Sequence, residues 1–472
     1  MSGEHDFQRR TITIPEAPPD VHHLLGDLIT SSNEDLLSKV LRLDAVDEQG
    51  DYLHWQDMRY RTPPDGLTAE QWWTGTGLAR DRLRRNQPMD DSNGAPFGLC
   101  MVDRIWESLH RIDQAVAGQI LVDDPVASPG SGDYYIVRSL IEEAIASSQL
   151  EGASTTRAIA KEMLLDGRDP RDLDERMIFN NYAAINDVRR LVKDEAPFSV
   201  EALKQLHRII THDTLGDRSD AGRFQEPHDQ RVTVVFRHMG FERTLHTPPP
   251  AEQLPERMQA LCTFANGEVE SGFMHPVIRA LILHFWLAYD HPFVDGNGRL
   301  ARSLFYWSML RSKYWLTEYL AISAILRDDP IGYPEAFLRT ERDNNDLTYF
   351  VLYQLQVIED AIKRLEQYLN RKRREVREAE AHLHGQFPFN HRQRSVIIVA
   401  IRDPFAAFYI GTHARRHDVS YLSARTDLIQ LENHGLLVRT QDGRLIRFVA
   451  APNLVDRLRN PSDPTVANPS NN

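Results

Sequence analysis

The chain has 472 residues, 41% hydrophobic and 26% charged, the composition of a folded globular protein and not of a disordered, collagen-like or disulfide-scaffolded one. Its net charge of −13 argues against wholesale coating of nucleic acid or an anionic membrane. Cys100 and Cys262 are too few for a disulfide framework, no stretch approaches the ~18 apolar residues of a membrane span, and the polar start MSGEHDFQRR lacks a secretory core. A cytoplasmic, mainly α protein of about three domains is expected.

In chain order, residues 1–130 are broken by turn-forming clusters at Pro15–Asp20, Arg61–Gly66, Asn93–Pro96 and Asp124–Gly132, and they hold no catalytic grouping. His22, His23, His212, His228 and His238 lack metal-ligand spacing and read as surface histidines. From Tyr135 to Gln149, Ile136, Val137, Leu140, Ile141, Ala144 and Ile145 recur at helical period. This helix runs into SSQLEG, where Ser147 and Glu151 stand four apart on one face. Taken alone, that stretch reads as an ordinary helix end with Gly152 just past it. Helical spacing also marks Pro197–His212 and Glu252–Gly267. Between them, the β-branched and aromatic run Arg231–Phe236 and the segment Arg243–Thr247 predict a hairpin. Val277–Asp290 is apolar nearly all round and predicts a buried central helix.

A long helix is expected from Leu347 to about Leu383, with residues 356–384 as a charged connector between domains. Residues 385–455 then read as helix, helix–turn–helix and hairpin, the order of a winged-helix domain. Nine Arg against five acidic residues between Gly385 and Ala450 give this part a net charge of +4, and the remainder −17. Both a nucleic-acid face, with Arg425 and the Tyr421–His434 helix as the groove reader, and a protein-packing module remain open. Residues 456–472 have little to bury and are expected to be disordered.

The chemistry concentrates in His291–Arg302, HPFVDGNGRLAR. A glycine-containing loop leads from one helix into the next, and free N–H groups at a helix start attract anions. Gly296 and Gly298 allow the positive φ such a nest needs. Arg299 and Arg302 lie three apart beside it and suit phosphates. Asp295 at the lip is a hard carboxylate fit for Mg²⁺ beside phosphate oxygens, and His291 can take a proton from an attacking hydroxyl. No rival nucleotide motif exists: there is no Gly-Lys pair for a phosphate-binding P-loop, and Gly75-Thr76-Gly77 lacks the third glycine of a dinucleotide fingerprint.

This twelve-residue run resembles the Fic signature, His-x-Phe-x-Asp/Glu-Gly-Asn-Gly-Arg-x-x-Arg, at all eight specified positions. Met274–Arg311 and His246–Pro250 are also similar to a Fic core, and residues 131–355 would form the catalytic domain behind a Fic-associated extension at 1–130. The resemblance implies transfer of AMP from ATP to a Ser, Thr or Tyr hydroxyl of a target protein, or of the chain itself, with release of pyrophosphate. His291 would be the general base, Phe293 would pack the loop from beneath, and Asp295 would hold Mg²⁺. Gly296, Asn297 and Gly298 would line the anion hole, and Arg299 and Arg302 would clamp the β- and γ-phosphates. The hairpin at 231–247 would be a flap that holds the target by strand addition. SSQLEG resembles the family's inhibitory motif, so Glu151, with Ser147, on the helix at 135–152 would pair with Arg302 and exclude the γ-phosphate; in some relatives the same Glu serves removal of AMP. The family often dimerises, so a homodimer is among the implied partners; DNA, bound through the winged helix by a regulator whose Fic domain senses ATP, is the alternative. Two positions depart from the pattern: Gln225 stands where relatives carry Arg in Gly-x-Phe-Arg, and Tyr333-Pro334 where many carry two tyrosines near the adenine.

Overall fold

The computed structural model describes residues 12–115 except 32, and 131–459 except 239–240, 269–271, 387–388, 403–405, 443–444 and 452–453. Most of the predicted break at Asp124–Gly132 lies outside these residues. The described residues fall into two compact units, one comprising residues 1–118 and 138–362, the other 119–137 and 363–472. Among them no helix is long and apolar enough to cross a membrane. Both cysteines are buried and free.

The first unit opens with helices ending in α1 (Ala69–Leu83), whose start is closed by a reciprocal Thr68–Gln71 capping box. A hairpin follows, β1 (Arg84–Asp90) and β2 (Pro96–Cys100), around the turn expected at Asn93–Pro96. Sequence reading missed these strands because RRNQPMD has no alternation of apolar and polar residues. Helix α2 (Ser131–Leu150) begins four residues before the inhibitory helix predicted at 135–152 and ends two residues short of it, with Glu151 and Gly152 in a turn. Helices α3 (Leu173–Lys193) and α4 (Val200–Ile210) precede the predicted flap, β3 (Val234–His238) paired antiparallel with β4 (Phe241–His246). Helix α5 (Leu254–Ala265) leads to α6 (Pro276–Asp290), which is buried on nearly every side as its apolar sequence requires. It packs against α7 (Asn297–Arg311), itself packed on α3, so the loop between α6 and α7 sits on the unit's core. The short helix α8 (Ile322–Asp328) and the start of α9 (Thr348–Gln386) complete this unit.

The second unit contains α10 (His391–Arg402), α11 (Ile410–His417), α12 (Tyr421–Asn433) and the antiparallel pair β5 (Leu437–Asp442) and β6 (Leu445–Ala450). In chain order these are three helices followed by a hairpin. Their apolar faces share a core around Ile397, Leu428, Leu431 and Phe448. Asp427 is held by Arg392 at 2.7 Å and faces His413 at 3.3 Å, knitting the three helices together. The expectation of disorder from residue 456 is corrected for its first residues. Leu454–Arg459 forms helix α13, because Leu454 and Leu458, four apart, both bury against this core. The rest of that tail lies outside the described residues.

Candidate active site

The site is the turn from α6 into α7. Helix α6 stops because His291 takes a left-handed backbone (φ 45°, ψ 55°). Helix α7 starts at Gly296, also left-handed (φ 80°). A Cβ there would come within 2.9 Å of Thr211 Cγ2, so both backbone angle and close approach require glycine. Between them, Asn297 closes the loop on itself: its Oδ1 accepts from the Phe293 N–H (3.0 Å) and its Nδ2 donates to the Phe293 carbonyl (2.8 Å). The Asn297 side chain is therefore a buried staple beneath the loop and does not face the anion hole. Phe293 is fully buried, as expected of a residue packing the loop from below.

His207, on α4, was not singled out from the sequence, yet it supports this loop. Its ring stacks on Phe293 (3.7 Å, 7°). Its Nδ1 accepts from the Gly222 N–H at 2.8 Å, so Nε2 carries the proton and donates to the Asp295 carbonyl at 2.9 Å. Burial drives its pKa down to about 4 and keeps it neutral. Its only sequence signal is a histidine on the face that Leu203, Leu206 and Ile210 turn inward.

Among the described residues no side chain caps the N-terminus of α7. Leu300 is the first residue whose N–H bonds back into the turn, to the Gly296 carbonyl. The free N–H groups before it leave partial positive charge at this end. Glu151 stands beside the first turn, at Gly298. A Cβ on Gly298 would collide with its carboxylate. Glu151 Oε1 also accepts from Arg302 Nη2 at 2.9 Å. Arg302 is buried, and its Nε and Nη2 donate to the Ser147 hydroxyl and carbonyl, each at 2.8 Å. Burial pushes the Glu151 carboxyl upward, but Arg302 and Arg299 outweigh it and the net shift is downward, so Glu151 is ionised at neutral pH. Gly152 (φ 98°) ends the helix as its sequence predicted.

The two arginines differ. Arg299 is wholly buried; it donates to the Ile210 carbonyl (3.2 Å) and pairs with Asp295 (3.2 Å), and its Nε has no hydrogen-bond partner among the described residues. It supplies charge from beneath the nest, whereas Arg302 borders the open cavity. The Asp295 side chain is about half exposed. Among the described residues no three His, Cys, Asp or Glu side chains converge as a metal site. One exposed carboxylate beside an anion nest suits an ion that takes its other ligands from phosphate and water, as Mg²⁺ does.

His291 directs Nδ1 at the Ala288 carbonyl (3.3 Å), which puts the proton on Nδ1 and leaves the Nε2 lone pair free to act as a base. Burial lowers its pKa to about 4, against the opposing pull of that carbonyl and of Glu151. A cavity of about 170 Å³ joins His291, Gly298, Glu151 and Arg302 to Val234 and Leu245 of the flap and to Tyr333, Pro334 and Phe337. The Tyr333 hydroxyl meets His284 at 2.8 Å and Arg302. All the signature residues, with Ser147 and Glu151, thus gather around one loop and its cavity.

Residues 197–309 match the Fic/DOC family. The chain is 24% identical over 216 residues to the protein adenylyltransferase Fic of Nematostella vectensis, a match covering 45% of each chain. It is 41% identical over 162 residues to the protein adenylyltransferase Fic of Drosophila ananassae, covering 34% of this chain and 29% of that relative. A solved Fic family protein from Desulfovibrio desulfuricans G20 is 19% identical, with a TM-score of 0.47, over 75% of this chain and 97% of its own. The chain spans less than half the length of the curated relatives it matches. This chain carries a Fic domain.

Proposed function

We propose that this protein is a self-inhibited AMP transferase that joins AMP from ATP to a hydroxyl of a protein. The observation that carries this reading is Glu151, whose carboxylate accepts from Arg302 and stands against Gly298 in the first turn of α7, where a terminal phosphate would otherwise lie. In the released enzyme, the triphosphate takes the place of that carboxylate against the α7 nest and Arg302, with Arg299 adding charge from below. Asp295 would hold Mg²⁺, which when bound neutralises phosphate charge. The target hydroxyl loses its proton to His291 Nε2 as its oxygen bonds to the α-phosphorus, and the bond from that phosphorus to the bridging oxygen breaks, releasing pyrophosphate. The two-stranded flap, which pairs with no further strand among the described residues, would present the target by strand addition. The ionised Glu151 would also suit activation of a water for removal of AMP. Incubating the Glu151→Gly protein with ATP and Mg²⁺ and weighing it should reveal one added AMP; no adduct on the protein itself or on any protein supplied would contradict the reading.

Proton transfer to His291 makes a pH prediction. A base with a pKa near 4, rather than the ordinary 6.5, is already neutral by about pH 5 and stays so above it. Loss of Glu151, which raises this pKa, lowers it further. Transfer by Glu151→Gly should therefore be nearly flat from about pH 6 to 8. An acidic limb centred near 6.5 in kcat/KM would contradict a buried neutral base.

The second unit favours an additional role. On α12, Ala424, Leu428 and Leu431 turn inward, whereas Tyr421, Leu422, Arg425 and Thr426 are exposed. This is the face that a winged helix lays in a DNA groove. Binding to duplex DNA should weaken steeply with salt, and Arg425→Ala should reduce the log–log slope by about one. No binding at low salt would remove the DNA role and leave the packing one.

A further inference from the structure

Arg231 lies just before β3, in a stretch without regular structure. Its guanidinium donates only to oxygens: Nε to the Pro249 carbonyl (2.8 Å), Nη1 to the His291 carbonyl (2.9 Å) and to Gln225 Oε1, and Nη2 to the Asp290 carbonyl (2.5 Å). The carbonyls of Asp290 and His291 sit where α6 ends and have no helical partner, and a cation there also faces the negative end of the helix. The next carbonyl, Pro292, accepts from the backbone N–H of Gln225 at 2.9 Å. Three successive carbonyls at the base of the loop are thus held by Arg231 and Gln225. Pro249 follows β4, so the same guanidinium also closes the foot of the flap.

This grip falls where it is needed. A non-glycine residue is disfavoured in the left-handed region and persists there only when its surroundings hold it. His291 is such a residue, and its backbone angle decides where its ring points. We infer that Arg231 is a positioning residue that holds His291 in its left-handed conformation and fixes the foot of the flap to it, so that a hydroxyl carried by the flap meets Nε2. The inference rests on the AMP-transfer reading for its kinetic test. Gln225 and Arg231 touch, so exchanging them keeps one guanidinium and one amide in the same space.

The test uses the full-length Glu151→Gly protein as parent. Arg231→Gln should lower kcat on the order of 100-fold, the cost of misplacing a reacting group by about 1 Å, while KM for ATP moves less than about threefold. The exchange Gln225→Arg with Arg231→Gln should recover at least about tenfold of that loss. Should Arg231→Gln fail to fold, Arg231→Lys, which keeps the charge and loses the fork, should still lower kcat about tenfold. A kcat within about threefold of the parent, or a loss that the exchange does not reverse while Tm and ATP affinity match the parent, overturns the inference. An inactive parent would instead count against AMP transfer. The role of Arg231 is then read from the ¹⁵N signals of His291, assigned by their loss in His291→Ala. The parent should show one tautomer with the proton on Nδ1, and Arg231→Gln a mixture; an unchanged spectrum overturns the inference.

Discussion

Replacing Glu151 by glycine should raise AMP transfer roughly tenfold to hundredfold. The carboxylate makes a charge-assisted hydrogen bond to a buried guanidinium, an interaction worth about 1.5–3 kcal/mol, and ATP must displace it before its terminal phosphate can reach Arg302. Removing the competitor returns that energy to substrate binding, at about 1.4 kcal/mol per factor of ten. The guanidinium does not collapse when Glu151 is lost, because Ser147 holds it at two nitrogens and the Tyr333 hydroxyl faces it. Helix α2 also stays in place: Glu143, one turn before Ser147, accepts from the Ser323 N–H at 2.9 Å at the start of α8. The gain should therefore be seen with saturating target as a lower KM for ATP and a higher rate at limiting ATP, with little change in Tm. An unchanged rate with unchanged ATP affinity would contradict the displacement account.

In that released protein, His291→Ala should reduce transfer by about 10²–10⁴-fold, the usual worth of a positioned base. Binding of ATP should persist, since the ring faces the attacking group and not the phosphate nest. Alanine keeps the same unfavourable left-handed backbone, so any loss of Tm should be small. Comparing ATP affinity with the single-turnover rate separates the two effects: intact affinity with a lost rate is expected, and an intact rate would dismiss His291 as the base.

Much of this was legible in the sequence because it is local. HPFVDGNGRLAR carries its loop, its nest and its charges within twelve residues, and SSQLEG carries its helix end and its carboxylate within six. Helix α6 was legible because no polar face interrupts its apolar run. The supports were not, because they are formed by distant segments. Nothing around Arg231 marks it as the holder of carbonyls some sixty positions later, and His207 looks like any core histidine until its two nitrogens are seen bridging Gly222 and Asp295. Nor could spacing tell the two signature arginines apart: both are favoured near a phosphate nest, yet one is sunk beneath the loop with Asp295 and the other meets the Glu151 carboxylate. The hairpin β1–β2 escaped notice because its strands owe their pairing to tertiary contacts, including Gly98 with Asn345 and Leu347.

On the proposed reading this loop moves the α-phosphate of ATP onto protein and Glu151 restrains it. The most direct measurement supplies ATP labelled at the α-phosphate, with γ-labelled ATP as control, to the wild type, Glu151→Gly, and Glu151→Gly with His291→Ala, in the presence of Mg²⁺. Protein-bound label is expected from the α position alone, strong in Glu151→Gly and weak or missing in the other two. Label from the γ position, or none from either in Glu151→Gly while ATP still binds, would contradict it.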